Sequence, residues 1–177
     1  MSGRRVRAAL ITVSTSRAEA ADSGTDGEPD ISGQAMAELA GQLGAEVIDR
    51  ELIPDERGLI AERLRHWAGE GGADLILTSG GTGFSPDDQT PVATAEVIDR
   101  PAPGLAEAIR QAASRHTKHW ALSRGVAGIC GSCLIINLPG SPRAATENLA
   151  AVWAAVPHTV AKLQGDMTDC AMPSDPA

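Results

Sequence analysis

The chain has no Tyr, one Phe and three Trp among its 177 residues. A core with so little aromatic bulk must be filled by Ala, Val, Leu and Ile, and aliphatic filling of that kind suits parallel strands covered by helices. Cysteine is scarce too. Three Cys, an odd number in a chain this long, do not suggest a disulfide framework and fit a reducing compartment. Positive charge is in short supply: 15 Lys and Arg against 23 Asp and Glu leave a formal net charge of -8. That balance argues against a general nucleic-acid or membrane surface, because phosphate backbones are bound through clustered Lys and Arg. Anions would have to be held locally. No apolar run reaches transmembrane length, and the opening MSGRRVRAALITVSTS turns to Ser and Thr too early for a signal peptide. The expected location is the cytoplasm.

The remaining composition, 42% hydrophobic, is enough for one domain with a sizeable core. The whole chain, residues 1–177, reads as a single domain with its core over about residues 5–165 and a flexible tail at 166–177. Short runs rich in Val, Ile and Leu predict strands at 6–13, 46–53, 73–78 and 133–138. Helical spacing predicts helices at 32–43, 56–69, 92–98, 105–116 and 144–163. In the second of these, Leu59, Ile60, Leu64 and Trp67 share one face, as a helix covering a sheet requires. The alternation implies a three-layer α/β fold with a mostly parallel sheet. Residues 16–33 carry Gly, Pro, Ser and acids without periodicity and read as a long loop.

Three stretches carry chemistry. TSGGTGFSPDDQTP, residues 78–91, follows an apolar strand with Gly80, Gly81 and Gly83, Thr82 and two adjacent acids. Glycines at the carboxyl end of a strand let backbone N–H groups approach an anion, and Thr82 adds a hydroxyl. Thr90 is positioned to cap a helix whose first residue is Pro91. Asp88 beside a phosphate cradle makes sense if Mg²⁺ lies between the negative charges. A plain turn with solvated acids is the competing reading. No Lys follows the last glycine, so this is not a Walker loop. In INLPGSPRAATENL, residues 136–149, Ser141 is an N-cap ahead of Pro142, and Arg143 adds positive charge to a helix start that can hold an anion. An ordinary cap explains the same residues. In LIPDER, residues 52–57, Asp55 either caps the following helix or joins Asp88 in one crevice. Cys130 and Cys133 with His116 and His119 have the residue types of a zinc site, on spacing that gives weak support.

GGTG followed by DDQTP, LSRGVAG and NLPGSP, with LIPDE upstream, resembles the molybdopterin-binding family, in particular the Mog/MoaB type of molybdopterin adenylyltransferase. Each motif alone is weak; the ordered set, over about residues 5–165, is specific. The resemblance implies a MoCF-like α/β fold, usually trimeric, acting in molybdenum cofactor biosynthesis. It implies transfer of AMP from ATP to the terminal phosphate of molybdopterin, Mg²⁺-dependent, with a molybdenum-insertion protein downstream. In that reading Asp55 and Asp88 are the catalytic and metal-binding acids. Gly80, Gly81, Thr82 and Gly83 bind nucleotide phosphate, and Asn137, Gly140, Ser141 and Arg143 hold the pterin or its phosphate. Asp30, Ser32 and Gly33 resemble the family's D-x-S-G and line the dithiolene side, with Ser123 and Arg124 as further pocket residues. Arg17 and Val92 depart from the family pattern where acids are common. Two other readings are a non-catalytic pterin-binding or assembly protein of the same fold, and a related nucleotide pyrophosphatase.

Overall fold

The computed structural model describes residues 4–23 and 29–167. The expected tail from residue 168 onward lies outside them. Six strands form one sheet: β1 (Arg7–Val13), β2 (Glu46–Ile53), β3 (Leu75–Ser79), β4 (Arg100–Pro101), β5 (Ala127–Cys130) and β6 (Cys133–Leu138). Their spatial order is β2-β1-β3-β6-β5-β4. The first four in that order are parallel, and β5 and β4 extend the sheet antiparallel. The mostly parallel expectation holds, with an antiparallel margin.

Central strands are apolar on both faces because both faces are covered. In β1, Ala8 and Leu10 enter one core, while Ala9, Ile11 and Val13 enter the other. Leu75 and Leu77 of β3 and Leu134, Ile136 and Leu138 of β6 join the first; Ile76 and Ile135 join the second. Each fully buried Leu or Ile contributes on the order of 1.5–3 kcal/mol. The first core is covered by α2 (Ile31–Gln42), α5 (Pro103–Ala113), α6 (Pro142–Val152) and α7 (Val156–Leu163), and the second by α3 (Arg57–Ala68) and α4 (Thr90–Val97). No helix among the described residues is long and apolar enough to cross a membrane.

The structure differs from the sequence reading in several places. Residues 16–33 are not all loop: α1 spans Thr15–Asp22, and α2 starts at Ile31 behind the Asp30 cap. Only Ala18 of α1 is buried, so that helix had no apolar stripe to reveal it. The single helix expected at 144–163 is broken at a 3₁₀ turn, Trp153–Ala155, because Pro157 lacks the N–H and the space that a continuous helix needs. Strand β5 was missed, although Gly131 (φ 58°) opens the two-residue turn that pairs Cys130 with Cys133.

Candidate active site

The chain passes from β1 to β2 on one side and then to β3 on the other, so the loops beyond β1 and β3 diverge. Such a switch point is where open α/β sheets bind ligands. A cleft of about 660 Å³ opens there, lined by Ser14, Thr15, Asp55, Gly81, Asp87 and Asp88. The N–H of Ser14 donates to the Ile53 carbonyl at 2.9 Å, and the N–H of Asp55 donates to Thr15 Oγ1 at 3.0 Å. The ends of β1 and β2 are thereby tied, and Asp55 is anchored at its backbone.

The glycines of the β3–α4 loop are demanded by their neighbours. Gly80 (φ 105°) and Gly81 (φ 60°) occupy left-handed backbone, where an L side chain is strained. A Cβ at Gly80 would strike the Val13 carbonyl, and one at Gly81 would fall on Asp55 Oδ2 and Thr90 Oγ1. The Gly80 N–H donates to the Leu138 carbonyl at 3.2 Å. None of the hydrogen bonds among the described residues uses the N–H groups of Gly81, Thr82 or Gly83, which leaves these donors for an anion.

Asp55 does not cap its own helix. Glu56 is the N-cap of α3 and makes no side-chain cap bond, while Asp55 Oδ1 accepts from the Gln89 N–H at 2.9 Å, at the start of α4. Thr90, expected as that cap, is instead the first helical residue, and its Oγ1 is buried without a partner. Burial pushes the Asp55 carboxyl above its ordinary value, and repulsion from Asp88 and Asp87 adds to it; the Gln89 hydrogen bond and Arg124 oppose the rise. Asp88 is half-buried and accepts from the Ser85 N–H at 2.8 Å, whereas Asp87 is exposed. Two carboxylates on separate loops therefore crowd one cleft, their repulsion partly offset by Arg124.

The second anion-friendly terminus abuts the first. Ser141 caps α6, its Oγ accepting from the Ala144 N–H at 3.2 Å ahead of Pro142. Ser79 and Ser32 donate to the consecutive carbonyls of Pro139 and Gly140, at 2.9 and 2.7 Å. A Cβ on Gly140 would lie 3.3 Å from the Gly80 Cα, so the two loops touch backbone to backbone. Asp30 accepts from the Gly33 N–H at 2.8 Å and from Thr12 Oγ1 at 3.0 Å. Asp30, Ser32 and Gly33 thus build the start of α2 against this turn, and Ser32 is wholly buried. Asn137 is 3% exposed; its Nδ2 donates to Thr78 Oγ1 and Thr94 Oγ1, and its Oδ1 accepts from the Val126 N–H. It braces the floor beneath the crevice rather than lining it. Arg143 is exposed and pairs with Glu147 at 2.8 Å, so its charge is directed along the solvent face of α6. On the far side of the glycine loop, an apolar pocket of about 250 Å³ is lined by Thr82, Gly83, Trp120, Leu122, Ser123 and Pro139 among others.

Cys130 and Cys133 face each other across the β5–β6 turn, and among the described residues no three His, Cys, Asp or Glu side chains gather into a metal-binding group. Sequence reasoning missed Thr15, Ser79 and Gln89, whose parts in the site are a hydroxyl acceptor, a hydroxyl donor and a backbone N–H. Residue type alone carries no signal for such roles.

A family profile described as "Probable molybdopterin binding domain" matches residues 9–158. The chain belongs to this family. It is 38% identical over 139 residues to a molybdopterin adenylyltransferase of Helicobacter pylori strain J99, covering 77% of this chain and 79% of that protein. It is also 38% identical over 142 residues to the molybdenum cofactor synthesis protein cinnamon of Drosophila melanogaster. That match covers 80% of this chain and only 24% of the longer fly protein. The crystal structure of the molybdopterin biosynthesis enzyme MoaB from Thermus thermophilus superposes with a TM-score of 0.81 at 44% identity, covering 91% of this chain and 98% of that one. Of the residues singled out in the sequence, Asp55, Gly81 and Asp88 line the cleft, and Ser141 caps the adjoining helix.

Proposed function

We propose that the protein is a molybdopterin adenylyltransferase of molybdenum cofactor biosynthesis, transferring AMP from ATP to the terminal phosphate of molybdopterin and releasing pyrophosphate. The observation that carries this reading is the convergence of Asp55 and Asp88 on one cleft at the switch point, beside unused backbone N–H groups. The names of its relatives support it.

The N–H groups of Gly81, Thr82 and Gly83 hold phosphate oxygens of ATP at the loop. Ser141 and the Arg143 N–H at the start of α6, with Gly140 fixed by Ser32, receive the phosphate of molybdopterin. An oxygen of that phosphate attacks the α-phosphorus; the new P–O bond replaces the α–β bond, and pyrophosphate leaves with the bonding pair. Most of the protein's contribution is placement and charge balance. Asp55 and Asp88 suit Mg²⁺, since both are hard oxygen donors whose crowded charge favours a cation between them. Bound there, Mg²⁺ supplies neutralisation of the phosphate charge that builds as the bond breaks. Asp30, Ser32 and Gly33 shape the dithiolene side through the turn they support.

In the same reading the protein works in the cytoplasm as a homotrimer and hands its product to a molybdenum-insertion protein. Trp120 and Leu122, 40% and 51% exposed, provide apolar surface of the kind that subunit contacts cover.

The deciding experiment incubates purified protein with molybdopterin, ATP and Mg²⁺ and follows pyrophosphate together with adenylylated product. Formation of both, dependent on molybdopterin, is the expected result. Binding of molybdopterin without pyrophosphate would make the chain a pterin-binding protein, and cleavage of ATP without molybdopterin would make it a pyrophosphatase.

A further inference from the structure

Arg124 lies outside the motif acids and glycines, yet it bonds three residues of the acidic loop, Thr82, Gly83 and Asp88. Its backbone N–H donates to the Thr82 carbonyl at 2.9 Å. Its Nε donates to the Gly83 carbonyl and its Nη2 to the Asp88 carbonyl. Its guanidinium carbon also sits 6.0 Å from the ring centroid of Phe84, which is 67% exposed at the loop's surface.

One planar fork therefore closes a segment at both ends. Residues 83–88 leave the nucleotide loop at Gly83 and return at Asp88, and both terminal carbonyls are held by the same guanidinium. Between them the segment is held by short-range bonds: the Asp87 N–H donates to Ser85 Oγ at 3.4 Å and Gln89 Nε2 donates to the Pro86 carbonyl. Ser85 and Asp88 bond each other, and Phe84, Ser85, Pro86 and Asp87 are exposed. Arg124 itself is held from behind. Its neighbour Gly125 receives Arg110 Nη1 on its carbonyl at 3.0 Å, and a Cβ at Gly125 would press on the Asn137 carbonyl at 3.2 Å. The fork is thus seated on β6 and α5, on the opposite side of the loop from the cleft.

We infer that Arg124 is a positioning residue that latches the 83–88 segment, setting where the Asp88 carboxylate stands relative to Asp55. Lys offers one compact ammonium and cannot bridge two carbonyls in a fixed plane, so charge alone does not substitute. The guanidinium also provides compensating charge to the paired acids without entering the cleft lining. The inference deepens the adenylyl-transfer reading and rests on it for the role of Asp88, but the latch itself is independent of that chemistry.

Two measurements on Arg124→Lys and Arg124→Ala test it. In hydrogen exchange followed by mass spectrometry, peptides covering 83–88 should exchange about tenfold faster in both variants, while peptides from β1 and β3 keep their wild-type protection. In the transfer assay, kcat should fall about 100-fold with KM for molybdopterin within about threefold of wild type, since the pterin side is untouched. Ethylguanidinium added to Arg124→Ala should slow exchange in 83–88 and restore part of kcat, and should do neither for Arg124→Lys, whose side chain fills the space. Unchanged exchange in 83–88 in Arg124→Lys, which keeps the charge and the packing stem, would overturn the latch. Loss of protection throughout the sheet would overturn it as well, by making Arg124 a general structural residue. A wild-type protein that makes no adenylylated product sinks the adenylyl-transfer reading instead, and the exchange result still decides the latch.

Discussion

The Asp55 carboxylate accepts a hydrogen bond of 2.9 Å from the N–H of Gln89, 34 residues further along the chain. One acid thereby caps a helix that belongs to another loop, and its second oxygen is left against Gly81 and Thr90. Asn at position 55 can keep the capping acceptor and lose the charge. Asp55→Asn should reduce transfer by about 100-fold or more, the scale of losing a principal charge in a phosphoryl-transfer site. The folded-state pKa of Asp55 is raised, so ionising it costs folding free energy, and stability falls as pH rises from 3.8 through the raised value. Thermal melts should therefore show Asp55→Asn at least as stable as wild type at pH 7, with the advantage shrinking toward pH 4. A lower melting temperature at pH 7 contradicts the assignment of burial and repulsion as the dominant causes.

Asp88→Asn should lower kcat by about tenfold to 100-fold and raise the Mg²⁺ concentration needed for half-maximal rate. Initial rates across a magnesium titration check this. An unaltered magnesium dependence would remove Asp88 from the metal site.

Gly80→Ala should cost about 2–4 kcal/mol in denaturant unfolding, because the new methyl meets a strand carbonyl in left-handed backbone. Gly81→Ala should cost less stability and more activity, since the groups it displaces are the Asp55 and Thr90 side chains rather than main chain.

Asp74 binds Arg4, the Arg7 N–H and Gln164 at the end of the sheet away from the crevice. Asp74→Ala should destabilise by about 2 kcal/mol, the scale of leaving buried donors unpaired, while kcat stays within about twofold. Chemical denaturation and the transfer assay on one preparation test both halves.

Burial pushes the Cys133 thiol up to about 12, with Cys130 and Asp74 adding to the rise. Native protein should react with a thiol reagent at Cys133 about a thousandfold more slowly than unfolded protein, following the fall in thiolate. The same shift leaves stability intact below pH 9 and erodes it as pH climbs from 9.0 toward 12.

Strands β1, β3 and β6 were legible because burial on both faces forces runs of Val, Ile and Leu, and β2, an edge strand carrying charged residues, through its Val47, Ile48, Leu52 and Ile53. Helix α1 was not, because a helix that buries one alanine leaves no period to read. The crevice was legible through Asp55, Asp88, Ser141 and the glycines, whose types are tied to their roles. The destinations of side chains were not. Nothing local says that Asp55 reaches across to α4, that Asn137 is consumed beneath the floor, or that Arg124 spends its fork on carbonyls 36 and 41 residues away. Carbonyl acceptors have no residue signature, so bonds to them surface only in three dimensions.

Gly80 and Gly140 touch with no side chain between them, and Gly80 also donates to Leu138 just ahead of Gly140. Two loops far apart in sequence are consequently fused into one mechanical joint. Whatever stiffens one must stiffen the other, so the first substrate to dock lowers the ordering entropy left for the second. Positive cooperativity between ATP and molybdopterin, reciprocal in size whichever binds first, is the thermodynamic signature this joint predicts.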